Sequence, residues 1–274
     1  MLAKEWLAGG LANAITSAML HPMDLSKTVM QISSNPQPLS DTVREIYRRG
    51  GLRALFLPGL TASCLREMIY SGAKAGMYVP IRNFFAPGEA TVFAKVQAAL
   101  ITGTLGSLLA NPIDVVKIRL MRDPGMYPST LGALPIIYKS EGFAGLYRGL
   151  VPSTLRGACV SAGELATYDI VKSGIRDKLF FEDGVALHVA SSLVTGLCAA
   201  VVAAPWDLIK SRAMSSTGRV ESISSVILQL SRESGFPYSL FRGLVPAYLR
   251  LGPHALVAFP IFEQLRRVLG LEYL

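Results

Sequence analysis

The chain has 274 residues, of which 51% are hydrophobic and 17% charged, with a mean hydropathy of +0.39 and a formal net charge of +8. Its apolar residues gather in runs of about 20, the length that crosses a bilayer, which excludes an ordinary soluble domain. The positive charge suits anionic headgroups and anionic solutes. Nucleic acid is excluded as a partner, because no basic block carries interleaved aromatics and no zinc-ligand spacing occurs.

The chain opens on Met1-Leu2-Ala3-Lys4-Glu5 and enters its first apolar run at once, over residues 6–31. No secretory pattern precedes that run, so any address is expected to be read from the mature protein. A polar stretch with a short amphipathic helix at 39–49 leads to a second apolar run at 60–84. The layout then recurs. A run at 92–120, an amphipathic helix at 131–140 and a run at 152–175 make the second unit. A run at 185–213, an amphipathic helix at 220–233 and a run at 246–269 make the third. We therefore expect an all-α membrane protein of six transmembrane helices in three hairpin repeats, 1–86, 87–180 and 181–274, forming one domain.

Each odd run ends on Pro-x-Asp-x-x-Lys. The copies are Pro22-Met23-Asp24-Leu25-Ser26-Lys27, Pro112-Ile113-Asp114-Val115-Val116-Lys117 and Pro205-Trp206-Asp207-Leu208-Ile209-Lys210, with prolines 90 and 93 residues apart. Before each even run stands a Gly-Leu element. Gly149-Leu150-Val151-Pro152-Ser153-Thr154-Leu155-Arg156 matches Gly243-Leu244-Val245-Pro246-Ala247-Tyr248-Leu249-Arg250, and the first copy keeps Gly59-Leu60 and Leu65-Arg66. A fixed internal period marks a repeat architecture. Proline inside a helix removes a backbone bond, so a bend is expected at one level in all three odd helices. Gly9, Gly10, Gly103, Ser107, Ser192 and Gly196 offer small surfaces for close helix approach. Cys64, Cys159 and Cys198 lie in apolar runs without metal spacing and read as small buried hydrophobes.

These motifs resemble the mitochondrial carrier family, over the whole chain. Finer text points to its oxoglutarate, dicarboxylate and uncoupling-protein branch. Arg250-Leu251-Gly252-Pro253-His254 with Phe262-Glu263-Gln264-Leu265 resembles the last helix of the oxoglutarate carrier, and Leu65-Arg66 with Tyr70, Gly76 and Tyr78 its second helix. Glu164-Leu165-Ala166-Thr167-Tyr168-Asp169 is similar to uncoupling-protein and dicarboxylate members. The resemblance implies a pseudo-threefold bundle with one central substrate site. It also implies a multi-pass location in the mitochondrial inner membrane.

Asp and Lys three residues apart share a helix face, and in a ring of three such helices each Asp can reach the next helix's Lys. The resemblance implies a matrix gate of Asp24 with Lys117, Asp114 with Lys210 and Asp207 with Lys27. Gln31 takes the place of a brace beneath the first pair, with Met121 and Met214 at the other two places. A second, cytosolic ring is expected as aromatic, acid, two residues, base. Repeat 2 has Tyr168-Asp169-x-x-Lys172 and repeat 3 has Phe262-Glu263-x-x-Arg266, whereas Tyr78-Val79-x-x-Arg82 lacks the acid. Two bridges can then form, Asp169 with Arg266 and Glu263 with Arg82. Three bridges against two predict an empty protein closed to the matrix, with Tyr78 and Tyr168 as braces offsetting part of the bias.

Arg66, Arg156 and Arg250 occupy one repeat position and so one depth between the rings. Charges within membrane segments face the bundle interior, and a guanidinium fork fits a carboxylate with two bonds. Lys74, Glu67, Glu164 and His254 complete the expected substrate wall. Glu67 and Lys74, seven residues apart, lie close to one face and are placed to neutralise each other. An acid at 67 departs from the glutamine of oxoglutarate carriers; it either weakens dicarboxylate binding or admits a zwitterion. No Ser/His/Asp or Cys/His pattern, phosphate loop or metal cluster stands out, so neither an enzyme nor a cofactor or metal is expected. Three readings stay open: antiport of small dicarboxylates such as malate, oxoglutarate or succinate by alternating access; fatty-acid-dependent proton leak; and a carrier-like scaffold without transport. A monomer is expected. Tyr147-Arg148-Gly149 and Phe241-Arg242-Gly243 resemble elements that help hold cardiolipin at helix N-termini. Repeat 1 has Leu57-Pro58-Gly59 in their place.

Overall fold

The computed structural model describes residues 2–33, 37–85, 92–160, 167, 185–218, 222–232 and 236–270. Among the described residues the regular structure is all helical. The order is α1 (Leu2–Met19), α2 (His21–Ile32), α3 (Leu39–Phe56), α4 (Leu60–Phe85), α5 (Val92–Arg122) and α6 (Thr130–Leu146). There follow α7 over 150–160, α8 (Val185–Ser215), α9 (Ile223–Arg232), a 3-10 turn (Tyr238–Phe241) and α10 (Leu244–Val268). The six expected spans are α1 with α2, then α4, α5, α7, α8 and α10. Most of 152–175 beyond residue 160 lies outside the described residues.

Composition explains which helices advertise themselves. α5 from Val96 to Arg122 and α8 from Val194 to Ser215 are long and apolar enough to cross a bilayer on that ground alone. The others are diluted by charge: Asp24 and Lys27 in α2, Arg66, Glu67 and Lys74 in α4, Arg250 in α10. Such groups in a membrane helix belong against protein or water.

The three motif prolines do not act alike. Pro112 and Pro205 stand inside continuous helices. In repeat 1 the odd helix divides at Leu20 (φ −93°, ψ 7°), and Pro22 falls in the first turn of the new helix. Pro22 has no N–H to offer the turn before it, and Leu20 O accepts from Met23 N at 3.0 Å instead, a tightened turn.

Each even helix is entered through a left-handed glycine, Gly59, Gly149 or Gly243, with φ of 74°, 73° and 81°. Only glycine adopts that turn without penalty, and space is tight as well. A Cβ would lie 3.1 Å from Met121 Cγ, 2.7 Å from Met214 Cγ and 3.0 Å from Gln31 Cγ respectively. The three brace positions thus share one task, each filling the space beneath a neighbouring repeat's turn.

Helices α3, α6 and α9 pack on the ends of the odd helices; α3 and α9 are amphipathic, whereas α6, expected to be so, also carries Leu131, Ile136 and Tyr138 on its exposed face. Ile46 and Leu55 of α3 meet Leu25 and Met121; Ala133 and Ile137 of α6 meet Val115 and Val116; Val226 and Leu230 of α9 meet Leu208 and Ile209. The expected close approach occurs at Gly10, where a Cβ would stand 3.0 Å from Met68 O, but not at Gly103, which faces open space. The three cysteines are free and half-buried.

Candidate functional site: three shared carboxylates

The Pro-x-Asp-x-x-Lys turns bring the ends of α2, α5 and α8 together. Lys27 Nζ stands 2.6 Å from Asp207 Oδ2, Lys210 Nζ 2.8 Å from Asp114 Oδ2, and Lys117 Nζ 3.5 Å from Asp24 Oδ2. Each contact joins two repeats, in the cyclic order expected. We call this level the motif end.

The arginines of the even helices reach the same carboxylates. Arg66 Nε bonds Asp114 Oδ1 at 3.1 Å, Arg250 Nη1 lies 3.1 Å from Asp24 Oδ1, and Arg156 Nε pairs with Asp207 Oδ1. Every aspartate therefore bridges one lysine and one arginine from other helices. The expectation that Arg66, Arg156 and Arg250 stand apart from the ring is corrected. A four-carbon lysine and a longer guanidinium converge on one buried carboxylate, because a lone charge there is costly.

Glu67 is also placed otherwise than expected. It takes Arg66 Nη1 at 2.6 Å and Ser71 Oγ at 3.0 Å. It does not neutralise Lys74: the carboxylate bends back to its chain neighbour and to the residue one turn on. Lys74 is exposed, without a partner among the described residues. Arg66 also stacks on Tyr70, 4.5 Å from the ring centroid. Lys74 and Tyr70 line a recess of about 60 Å³ with Thr104, Ser107 and Thr154. A second recess of about 100 Å³ holds Lys27, Arg156 and Arg250 against alanines of α8. His254 is half-buried on α10, one turn past Arg250.

Gln31 accepts from Ser211 Oγ at 2.7 Å and donates to Arg242 O at 3.4 Å, so it braces repeat 3, not the Asp24–Lys117 pair.

Of the opposite ring, the described residues are Tyr78, Arg82, Phe262, Glu263 and Arg266. Arg82 bonds the neighbouring Asn83, Glu263 is exposed, and Arg266 stacks on Phe262 at 5.6 Å. The expected Glu263–Arg82 bridge is absent among the described residues, and Arg82 settles on its own helix. Tyr78 is half-buried on α4. Glu164, Tyr168, Asp169 and Lys172 lie outside the described residues.

Two sets of polar contacts went unread in the sequence. The residue before the motif proline bolts its own repeat. His21 Nε2 donates to Pro58 O at 2.9 Å, and Asn111 Nδ2 to Leu146 O at 2.9 Å and Arg148 O at 3.2 Å. Repeat 3 has Ala204 there. A buried carboxylate, Glu141, takes both guanidinium nitrogens of Arg119 at 2.8 Å and Arg148 Nη2 at 3.0 Å. Arg148 is 3% exposed and turns inward.

The repeat pattern has known counterparts. The family model described as mitochondrial carrier protein matches residues 1–89, 88–179 and 181–273. The chain is 31% identical to the mitochondrial substrate carrier family protein ucpB of Dictyostelium discoideum, covering 98% of this chain and 96% of that one. It is 30% identical to the mitochondrial citrate transporter F of Aspergillus niger (95% and 88%) and 31% to the putative mitochondrial transporter UCP3 of Bos taurus (97% and 92%). The chain belongs to the mitochondrial carrier family. It is a multi-pass protein of the mitochondrial inner membrane.

Proposed function

We propose that the protein exchanges small dicarboxylates, of the malate, oxoglutarate and succinate kind, by alternating access. The observation that carries this reading is the triple sharing of Asp24, Asp114 and Asp207 between a lysine and an arginine. An arginine already holding a carboxylate offers the same fork to a substrate carboxylate. A dianion entering from the open end takes Arg156 and Arg250, or Arg66, from their aspartates. Each aspartate then keeps only its lysine, and partly wet pairs of that kind contribute about 0–1 kcal/mol. Substrate binding thus weakens the closed end by differential interaction, as a shift between two states requires. Lys74, alone on the wall above, meets the anion first. The motif end is the matrix gate in this reading, and Tyr78, Arg82, Tyr168, Asp169, Lys172, Phe262, Glu263 and Arg266 close the other side after turnover. Glu164 and His254 complete the wall.

Nothing in this scheme breaks a covalent bond. Anionic lipid, cardiolipin included, supports the outer surface, and the carrier acts as a monomer. A second reading, fatty-acid-dependent proton leak, draws support from similarity to the mitochondrial uncoupling protein 1 of Arabidopsis thaliana and the mitochondrial brown fat uncoupling protein 1 of Ovis aries, 31% and 30% identical. Liposomes carrying the purified protein and loaded with malate decide between them. The expected result is saturable uptake of labelled malate that needs internal dicarboxylate and carries no fatty-acid-dependent proton current. A proton current without exchange rejects the antiport reading.

A further inference from the structure

The three seams of the matrix gate are unequal. Between repeats 2 and 3 the end of α5 is pinned to the end of α8 by a buried cluster. Glu141 holds Arg119 and Arg148. Arg119 also donates to Met214 O at 3.3 Å and Ser216 O at 2.9 Å, Arg148 to Ser216 O at 2.6 Å and Gly218 O at 2.6 Å, and Arg122 to Ser215 O at 2.6 Å. Arg119 is 2% exposed. A charged cluster of this depth is held by directional bonds that leave uncompensated charge if parted.

Repeat 1 has no counterpart to that cluster. Seven residues past the motif proline, where repeat 2 has Arg119, repeat 1 has Val29. Before the kink glycine it has Gly50, and before the left-handed glycine Pro58. Between α2 and α5 the contact is instead apolar packing of Leu25, Val29 and Met121 with the longest of the three lysine–aspartate contacts, Lys117–Asp24 at 3.5 Å, while repeats 1 and 2 are joined elsewhere, by Arg66 to Asp114 and Thr61 to Thr130. Repeat 1 alone has its odd helix divided, at Leu20, directly ahead of the gate residues. On its other side, α2 is tethered by Arg212 to Gln31 O at 2.7 Å and Ser33 O at 2.8 Å.

From these independent features we infer that the gate has one moving leaf. α2 turns about the break at Leu20 and its tether to α8, and parts from α5, while α5 and α8 stay joined through Glu141. Glu141 is then a positioning residue: it touches no substrate and keeps two of the three gate ends in fixed register. The inference rests on the alternating-access reading and adds which seam opens.

The test uses full-length protein in nanodiscs, with Cys64, Cys159 and Cys198 replaced by serine and spin labels placed pairwise at Tyr47→Cys, Tyr138→Cys and Leu228→Cys, exposed positions on α3, α6 and α9. Distances are measured by double electron–electron resonance with and without malate. The expected result is a longer component for 47–138, with 138–228 unchanged in mean and width. In Glu141→Gln, 138–228 broadens too. Should that variant fail to purify, the wild-type distances decide alone. Equal lengthening of all three pairs, or lengthening at 138–228 with an intact cluster, overturns the single-leaf inference and leaves transport standing. If malate moves no pair and liposomes show no exchange, the transport reading falls and takes this one with it.

Discussion

Replacing Asp24 by asparagine tests the shared-carboxylate ring at the seam that parts. Asp24 is 7% exposed and holds Arg250 at 3.1 Å and Lys117 at 3.5 Å. The variant keeps shape and volume but strands two cations, whose side chains are 27% and 14% exposed. Removing one partner of a buried pair costs about 3–5 kcal/mol. Arg250 lines a recess of about 100 Å³, so the lower end, about 3 kcal/mol, is the better guide. Once α2 has left α5 those cations face solvent and lose little, so nearly all the loss falls on the closed state. At about 1.4 kcal/mol per tenfold, the open population rises roughly a hundredfold. Met121 packs on Leu25 and Val29 in that seam and is 2% exposed, so a thiol in Met121→Cys, with the three native cysteines replaced by serine, reports opening. Its labelling by an impermeant maleimide should accelerate by that factor in Asp24→Asn. Asp123→Asn, which removes a surface carboxylate 48% exposed and 3.1 Å from Arg122, should leave the rate unchanged. A labelling rate within twofold of the parent in a folded Asp24→Asn protein would refute the ring as the closure.

Glu141 makes stability depend on acid. Burial pushes its carboxyl up, but the Arg119 fork and Arg148 outweigh that and hold it below the usual carboxylate range. A lowered folded value contributes stability above the unfolded pKa of about 4.3, lost as pH falls through the folded value; the thermal midpoint of wild type should drop across that window, and Glu141→Gln, already destabilised, should lack that component. His21→Ala strands Pro58 O and should cost about 1–3 kcal/mol, read as a lower denaturation midpoint, whereas Ala204→Gly in repeat 3 removes no such bolt.

Much of this was legible because the repeat says it three times. The period put Asp24, Asp114 and Asp207 at one level and three arginines at another, and helix geometry did the rest. Which arginine reaches which aspartate was not legible, since depth along an axis does not give the reach of a side chain across it. The same limit misplaced Glu67. A seven-residue spacing suggested Lys74, but the closest cation was Arg66 beside it, with Ser71 one turn on. Glu141, Arg119 and Arg148 were each plain in the sequence, yet their meeting depends on the bend at Gly142 (φ 69°). For Glu263 and Arg82 the reason is another: acid and base at the right spacing do not say whether two helices bring them within reach.

Under the proposed dicarboxylate exchange, the charge balance of the ring makes Glu67 a selector. Three arginines and three lysines face three aspartates, a surplus of three positive charges. That surplus matches the charge of a tricarboxylate. Glu67, fixed on Arg66 at 2.6 Å, lowers the surplus to two, the charge of a dicarboxylate. It also occupies one arginine fork, leaving Arg156 and Arg250 for the two substrate carboxylates. Glu67→Gln should therefore free the third fork and restore the third charge. One charge-assisted hydrogen bond adds about 1.5–3 kcal/mol, so the KM for citrate should fall at least tenfold relative to that for malate in liposome exchange. A fall of equal size for both anions would mean that Glu67 sets only general attraction. No change would mean that the substrate never meets Arg66, and that the floor selects by the other two arginines alone.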